Sequence, residues 1–360
     1  MTLRYIFCCI ALFISCWTHA VQAGPSLLFS PDNDAVLYAE DIDRPWHPAS
    51  VTKIMTAYVA FEAIKAGRFS LDSKIPYSEL ASKMPASKIG MRVGSEVSVE
   101  FALKALIIKS ANDIAVALAE AVGGSHDGFV AIMNATAERL GMTRTVYVNP
   151  NGLPAPGQYT TARDLALLSK AVIRDHPEYA EYWTKSSMRV GRSRLRSHNS
   201  LLRTFDGADG IKTGFICDAG YNIVASATRN GLQLIAIVLG EQTPDEREKR
   251  AGSLLEHGFQ TYDWQVYFGA PKLSSIPLSN EYRKAVSIRR TIPMRVCGGR
   301  RPRRNNKIVV RKSAASASEE TPQKEADVPK NAPKEVNAPQ ELNVPANQSV
   351  FTQAFGSDYE

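Results

Sequence analysis

The sequence predicts an α+β fold in which an antiparallel sheet is flanked by helices. Two observations support this prediction. Apolar residues recur at helical spacing through the middle of residues 25–265, while β-type runs lie near both ends of that region. The dipeptide Asn230-Gly231 separates two of the late runs and is typical of a tight antiparallel hairpin. The early runs are therefore expected to complete the sheet that the late runs form.

The early part of this region predicts a hairpin followed by a long helix. Residues 27–30 and 35–39 flank the turn sequence Pro31-Asp32-Asn33-Asp34 and are predicted strands. The helix opens at Pro48, carries apolar side chains at helical spacing and stops at Gly67.

Polar residues mark the starts of the next two helices. Ser98 is expected to cap a helix that runs through Ile108. Asn112 or Asp113 is expected to cap a helix that runs through Val122. Further helices are predicted at residues 129–140, 161–174 and 244–262, and strands at 210–216, 221–229 and 231–239.

Three short motifs occur in a fixed order along these elements. They are Ser50-Val51-Thr52-Lys53, then Ser110-Ala111-Asn112, then Lys212-Thr213-Gly214. Each alone is a weak signal, since a helix start, a turn or an edge strand explains it equally well. Together, and each in a suitable setting, they indicate the active site of a serine acyl-transfer enzyme.

The residue types in these motifs suit that chemistry. A serine hydroxyl becomes a good nucleophile only when a base takes its proton, and Lys53 lies one helical turn after Ser50. Lysine serves as that base only as a neutral amine, which burial favours. Ser110 and Asn112 lie on a tight connection that aims short polar groups into a cleft. Gly214 offers bare backbone to an extended peptide.

The chain resembles the low-molecular-mass penicillin-binding proteins that act as serine D-alanyl-D-alanine carboxypeptidases. The likeness covers residues 25–265 and includes three further sequences: YVNPNGL at 147–153, DGIKTGF at 209–215 and AGY at 219–221. It implies a β-lactamase/transpeptidase-like fold, with a helical subdomain beside the sheet. It also implies removal of the terminal D-alanine from peptidoglycan stem pentapeptides through an acyl-enzyme, with β-lactams as inhibitors.

The resemblance also assigns roles to individual residues. Ser50 is the nucleophile, Lys53 its base, and Ser110 with Lys212 the proton route to the leaving amine. The remaining assignments bind the substrate: Asn112 holds its amide, the Ser50 and Phe215 main-chain amides form the oxyanion hole, and Thr213 with Arg247 receives its terminal carboxylate. No cofactor and no metal is implied.

Two departures from the family pattern bear on specificity. Several members carry a histidine where this chain has Phe215, which removes a side-chain contribution and leaves the main-chain role. Members that dock on membranes carry a second β-rich domain and a C-terminal amphipathic helix, and neither is seen in the sequence after Ile276.

Other functions remain as alternatives. A β-lactamase of the most similar class needs a glutamate before the third motif, and residues 139–177 contain none. A zinc carboxypeptidase is disfavoured because the histidines show no paired spacing. A peptidoglycan D,D-endopeptidase of the same family stays open, since bond choice depends on cleft shape. A non-catalytic exported cell-wall-binding protein is the alternative of a different class.

Composition divides the chain into four predicted parts. Residues 1–23 are a secretory signal, with Arg4 before an apolar run and Val21-Gln22-Ala23 as a cleavage site. The enzyme domain covers 24–268, a basic segment 269–312, and a disordered Ala/Pro/Glu/Lys-rich tail 313–360. The protein is therefore expected to be exported, to the periplasm or the outer face of the cytoplasmic membrane.

The basic charge of the chain is confined to one stretch. Twelve basic and no acidic residues lie between Arg283 and Lys312, so the net charge of this stretch is +12. Because the whole chain has a net charge of +7, the remaining residues together carry −5. The stretch is expected to be a solvent-exposed tether that binds an anionic envelope surface. A solvated linker with no partner is the alternative, and export disfavours nucleic acid.

Only two cysteines remain after removal of the signal, Cys217 and Cys297. Their compartment permits oxidation, and they are predicted to form a disulfide that holds the start of the tail beside the active-site strand. Such a link would add about 4 kcal/mol in the chain-entropy model. The alternative is a buried Cys217 that acts as a small apolar residue, with Cys297 free.

Overall fold

The structure is a computed structural model that describes residues 24–281 and 284–297. The predicted signal (1–23) and the predicted disordered tail (313–360) lie outside the described residues. In chain order the strands are β1 Ser26–Phe29, β2 Val36–Glu40, β3 Lys74–Pro76, β4 Glu96–Ser98, β5 Ser187–Val190, β6 Ser193–Arg196, β7 Ala208–Ile216, β8 Gly220–Arg229 and β9 Leu232–Glu241.

The helices of the described residues vary widely in length. In chain order they are α1 Lys53–Lys65, α2 Glu79–Ser82, α3 Val99–Lys104, α4 Asn112–Gly123, α5 His126–Arg139, α6 Ala162–Asp175, α7 Ala180–Thr184, α8 Leu201–Thr204, α9 Pro244–Tyr267 and α10 Met294–Cys297. Within the described residues, no helix combines the length and the apolar composition needed to cross a membrane.

A five-stranded antiparallel sheet, in the order β2-β1-β9-β8-β7, forms the centre of the fold. The early hairpin joins the late strands through β1, where Leu27 pairs with Ile237. The Asn230-Gly231 turn connects β8 to β9 as predicted. The predicted α+β fold class is thus confirmed.

The sheet is buried on both faces, because successive side chains of a strand point to opposite sides. In β1, Leu27 and Phe29 pack into the larger core against the middle helices, whereas Leu28 packs into the smaller core under α9. β9 alternates in the same way: Ile235 lies in the larger core and Leu234 in the smaller one. Because both faces of the sheet are buried, the sequences of these strands are nearly continuous runs of apolar residues.

The helix predicted from Ser98 through Ile108 differs from the observed element. Ser98 caps α3 as expected, since its side chain accepts a hydrogen bond from the Phe101 amide. The α-helix ends at Lys104, however, and continues as a π-helical turn, Ala105–Lys109. Such turns widen a helix locally and are frequent at functional sites. This one leads directly into the second motif.

The chain after residue 268 continues along the same compact unit. Residues 270–277 lie beside the β1–β2 hairpin, where the Val36 amide donates to the Pro271 oxygen at 2.8 Å. Residues 284–297, called the strap below, then reach the β7–β8 turn, where the Ile288 amide donates to the Asp218 oxygen at 3.0 Å. Most residues of the strap are exposed, as predicted, but main-chain pairing and apolar side chains hold it against the domain, so its described part is not a loose tether.

Arg163 on α6 fastens this extension to the domain. Its Nε and one Nη donate to the two carboxylate oxygens of Asp43, at 2.6 and 2.9 Å. Its remaining N–H groups donate to three main-chain oxygens of the extension, those of Leu273, Ile276 and Pro277. All the N–H groups of this buried guanidinium are thus paired, and three of its five hydrogen bonds go to residues beyond the predicted domain boundary.

Candidate active site

Ser50 and Lys53 meet where a 3-10 turn becomes the central helix. The turn is Ala49–Thr52, so Lys53 is the first residue of α1. The Lys53 Nζ lies 2.9 Å from the Ser50 Oγ. Ser50 makes no capping bond to the turn and Lys53 is fully buried, so a capping serine followed by a solvated lysine does not describe this pair.

The oxygens around the Lys53 Nζ fit a neutral amine. The Asn112 Oδ1 lies at 2.8 Å and the Asn151 main-chain oxygen at 2.5 Å, and both can only accept. The orientation of the Asn112 side-chain amide is fixed, because its Nδ2 donates to the Pro85 oxygen at 3.0 Å and a flipped amide would lose this hydrogen bond. A neutral amine has two N–H donors for these acceptors and one lone pair for the Ser50 hydroxyl proton. The geometry therefore suits transfer of that proton to Lys53.

Burial shifts the pKa values of both site lysines in the same direction. Desolvation lowers the pKa of Lys53 well below its usual value, and the charge of Lys212 lowers it further, while Asp113 opposes the shift. Desolvation, followed by the charge of Arg247, lowers the pKa of Lys212 to about 7. Lys212 can therefore exchange a proton near neutral pH, and burial favours the neutral form of Lys53 that a base requires.

The second motif follows the π-helical turn. Ser110 has a left-handed backbone with φ of 60°, and its buried Oγ has no hydrogen-bond partner among the described residues. The prediction that Asn112 or Asp113 caps the next helix is wrong, because Ala111 occupies the cap position and α4 begins at Asn112. The reason is that the Asn112 amide is occupied by Lys53 and Pro85. Asn112 instead joins the second motif to the first.

The third motif lies on β7, the strand at one edge of the sheet. Lys212 is buried there and its Nζ donates to the Thr213 oxygen at 3.1 Å. A Cβ added at Gly214 would lie 2.8 Å from the Ser50 main-chain nitrogen, which is closer than side chains tolerate. Glycine thus lets β7 approach the turn that carries the nucleophile. An extended peptide that adds to this edge would lie directly beside Ser50.

A cleft of about 740 Å3 opens over these motifs. Lys53 and Lys212 lie behind its wall and do not line it. The structure brings the other predicted site residues together on its surface: Ser50, Ser110, Asn112, Thr213, Gly214, Phe215 and Arg247.

Arg247, near the start of α9, lines this cleft. One of its Nη atoms donates to the Glu248 carboxylate at 2.7 Å and to the His198 main-chain oxygen at 3.2 Å. Its buried Nε has no partner among the described residues. A buried guanidinium with an unused N–H, facing a cleft, is suited to an anionic group of a ligand.

Sequence reasoning gave no role to three residues of the site. Asn151 lies in the quoted sequence at 147–153, yet nothing in one sequence signals that its main-chain oxygen holds Lys53. His198 lines the cleft, where burial and the neighbouring cations lower its pKa to about 4, so it is neutral. Glu248 pairs with Arg247 and also accepts from the Ser200 amide at 3.3 Å. The only sequence feature that could have indicated a role for Glu248 is its position directly after Arg247.

Cys217 and Cys297 are joined by a disulfide, with their Cα atoms 5.7 Å apart. Cys217 begins the β7–β8 turn, and the Asp218 carboxylate of that turn binds Ser287 and Arg289 of the strap. Ile288 of the strap packs against Gly220 on the same turn. These contacts fix the end of β7 from outside the cleft.

Within residues 24–281 and 284–297, no group of three or more His, Cys, Asp or Glu side chains is arranged to hold a metal ion. The site described above consists of serine, lysine, asparagine and arginine side chains with main-chain amides.

Gly152→Ala is expected to displace the turn that carries the nucleophile. Gly152 has φ of +79°, and a Cβ there would lie 1.8 Å from the Ala49 oxygen, beside the nucleophile. Both the backbone strain and the clash act against the native turn, so a loss of about 2 kcal/mol or more in the free energy of unfolding is expected. Thermal unfolding and the rate of penicillin labelling measure the two effects. Gly157→Ala, whose added Cβ meets nothing within 4 Å, controls for φ alone, and equal stability of the two variants would contradict the prediction.

Comparison with known protein families gives one consistent result. A family profile described as "D-alanyl-D-alanine carboxypeptidase" matches residues 15–243. The curated protein DacC of Escherichia coli K12, a D-alanyl-D-alanine carboxypeptidase, is 38% identical over 251 residues. DacF of Bacillus subtilis, of the same description, is 34% identical over 250 residues. These alignments cover 68% of this chain but only 63% and 64% of the two relatives, so the chain spans less than two thirds of their length.

Solved structures agree with this result. Penicillin-binding protein 5 of Haemophilus influenzae is 34% identical, with a TM-score of 0.64 over 66% of this chain and 71% of that one. Penicillin-binding protein D2 of Listeria monocytogenes, solved in a cefotaxime-bound form, is also 34% identical. Its TM-score is 0.61, and the match covers 66% of this chain and 97% of that one.

Proposed function

The chain belongs to the D-alanyl-D-alanine carboxypeptidase family of serine peptidases, and on this basis we propose that it removes the terminal D-alanine from peptidoglycan stem pentapeptides. The observation that carries the proposal is the position of Lys53. A buried lysine with two fixed acceptors and a serine hydroxyl at 2.9 Å has a use in acyl transfer. If Lys53 served only the fold, its burial would cost free energy, because the amine loses its hydration and nothing is gained in return.

Acylation follows from this geometry. The Ser50 hydroxyl gives its proton to the Lys53 Nζ, and its oxygen attacks the carbonyl carbon between the two D-alanines. The main-chain amides of Ser50 and Phe215 stabilise the resulting oxyanion. As the C–N bond breaks, the proton that Lys53 accepted passes by way of Ser110 and Lys212 to the leaving amine. This step leaves an ester on Ser50 and makes Lys53 neutral again.

Hydrolysis of that ester completes the cycle. A water molecule loses a proton to the neutral Lys53 amine and attacks the ester carbonyl, after which the Ser50 oxygen regains its proton. A β-lactam reacts with Ser50 at the first step in the same way, but its leaving nitrogen stays attached to the acyl group, so the ester differs from that of the peptide. Residues 139–177 contain no glutamate of the kind that β-lactamases use to hydrolyse such an ester, so we expect it to persist.

The lining of the cleft suits a substrate that ends in a free carboxylate. The Arg247 guanidinium and the Thr213 hydroxyl both line the cleft and can bind such a group. The unused Nε of Arg247 therefore supports cleavage of a terminal residue.

Export and envelope association complete the proposal. The apolar run before Val21-Gln22-Ala23 supports secretion to the compartment that holds peptidoglycan. The division of the chain into four parts, at residues 23, 268 and 312, stays a proposal. Since described residues between 270 and 297 pack on the enzyme domain, the boundary at 268 does not mark the end of the packed structure. Binding of the stretch from Arg283 to Lys312 to anionic envelope surfaces likewise stays a proposal.

The proposed activity is tested by incubating the mature protein with a soluble peptide that ends in D-Ala-D-Ala. Release of D-alanine, with no cleavage of D-alanyl cross-links in muropeptide dimers, is the expected result. Mass spectrometry after penicillin treatment is expected to show one adduct, on Ser50. Cleavage of dimers with little D-alanine release would identify an endopeptidase, and inactivity on both without an adduct would favour a non-catalytic binding protein.

A further inference from the structure

A second cavity, of about 500 Å3, lies between the enzyme domain and the strap. The domain contributes His47, Arg144 and Tyr159 to its lining, and the strap contributes Lys284 and Ala285. No aspartate or glutamate lines it. The cavity is therefore a concave, cation-lined site, and it is separate from the catalytic cleft.

The cations of this cavity form no ion pair among the described residues. Arg144 donates to two neutral oxygens, the Asp43 main-chain oxygen at 3.4 Å and the Asn280 Oδ1 at 2.6 Å. Lys284 has no hydrogen bond or ion pair among the described residues. The Asp43 carboxylate, which also interacts with the charge of Arg144, is hydrogen-bonded to Arg163. An anionic ligand would thus meet positive charge that no direct ion pair neutralises.

The positive charge continues from this cavity to the catalytic cleft. The strap carries the exposed Arg290 and Arg295, which have no carboxylate partner among the described residues. The strap ends at the β7–β8 turn, to which Cys297 is bonded. The residues that flank this turn, Ile216 and Tyr221, line the catalytic cleft. We name Arg144, Lys284, Arg290 and Arg295 the cationic track.

We propose that the cationic track binds carboxylates of the peptidoglycan polymer outside the stem peptide that occupies the cleft. This inference rests on the proposed function and names the form of its substrate: polymeric, carboxylate-bearing peptidoglycan rather than a free peptide. Three features argue for it: the strap that carries the track ends at the turn beside the cleft, the track begins in a cavity of about 500 Å3, and no carboxylate lines that cavity. A membrane is the poorer fit, because the large exposed aromatic residues Trp264, Tyr267 and Phe268 lie at the end of α9 and not along the track.

The double variant Arg144→Gln, Lys284→Gln tests the proposal in the full chain. D-Alanine release is measured on a short D-Ala-D-Ala peptide and on soluble, uncross-linked peptidoglycan chains with pentapeptide stems. We expect KM for the polymer to rise about five- to tenfold, with kcat and the short-peptide kinetics within about twofold of the parent. Added salt should raise the polymer KM of the parent towards that of the variant.

Matched controls separate charge at the track from charge in general. Lys74→Gln, Lys249→Gln removes two exposed cations elsewhere and should leave the polymer KM unchanged. Lys284→Gln alone, which breaks no described contact, guards against misfolding of the double variant and should show part of the effect. An unchanged polymer KM in both track variants overturns the proposal, as does an equal loss on the short peptide. Weakened binding to phosphatidylglycerol vesicles with an unchanged polymer KM would assign the track to lipid instead.

Failure of the proposed function is recognised separately. If the parent releases no D-alanine from either substrate, co-sedimentation with insoluble peptidoglycan still compares the same variants. Retention of the parent with loss of the double variant would support the track without the activity. Equal sedimentation of the two would overturn it.

Discussion

Replacing Ser50 with alanine is expected to abolish D-alanine release and penicillin labelling, each by at least about 10⁴-fold. The reason is that no other described hydroxyl lies next to the buried amine: the Ser50 Oγ is 2.9 Å from the Lys53 Nζ, while the Ser110 Oγ has no partner. The fold should survive, since the substitution removes one hydrogen bond worth about 1 kcal/mol. Intact-mass measurement after penicillin treatment, together with thermal unfolding, checks both statements.

Ser87→Ala is the matched control for that experiment. Ser87 lines the same cleft, but its hydroxyl donates to the Lys109 main-chain oxygen at 2.9 Å, away from any base. This variant should keep its penicillin adduct. An adduct on the Ser50→Ala protein would mean that another serine is the nucleophile.

Lys53→Arg should be almost as damaging, with acylation slowed about 10²- to 10⁴-fold. A guanidinium stays protonated at any usable pH and cannot accept the Ser50 proton. In the parent, acylation should rise with pH as Lys53 loses its proton, with a midpoint well below the usual lysine pKa because burial disfavours the charged form. The rate of labelling by a fluorescent penicillin, followed across pH, gives both results.

Lys53→Met controls for the larger guanidinium. It fills similar volume without charge, so it should fold and be equally inactive. Acylation by the arginine variant at more than a tenth of the parent rate would show that Lys53 acts only through its charge. A parent profile in which acylation begins to rise only near the usual lysine pKa would contradict a base that burial keeps neutral.

The sequence was sufficient for elements whose pattern is local. The tight turn at Asn230-Gly231 and the cap at Ser98 each depend on a few adjacent residues, and the structure contains both. The ordered motifs also led to residues that share one cleft, because their spacing is tied to particular elements. Ser50, Asn112 and Thr213 are examples.

Other features depend on contacts between distant segments and left no local signal. The main-chain oxygen of Asn151 is invisible in a residue pattern, although it completes the pocket of Lys53. Asn112 looks like a helix cap, and only its distance to Lys53 shows why the backbone cap falls on Ala111 instead. The basic composition after residue 283 predicted a free tether. In the structure, Ile292 is buried and Ile288 packs against the larger core, and these two side chains hold the strap on the domain.

The pairing of Arg163 ties the stability of the enzyme domain to residues that follow α9. Three of its five hydrogen bonds go to oxygens at residues 273–277, so a chain that ended at residue 268 would lose them and open the guanidinium to water. Each lost hydrogen bond is worth about 1 kcal/mol, and a few kcal/mol is a large share of the stability of an ordinary domain. Shortened chains that keep residues 273–277 are therefore expected to be more stable than chains that end at α9.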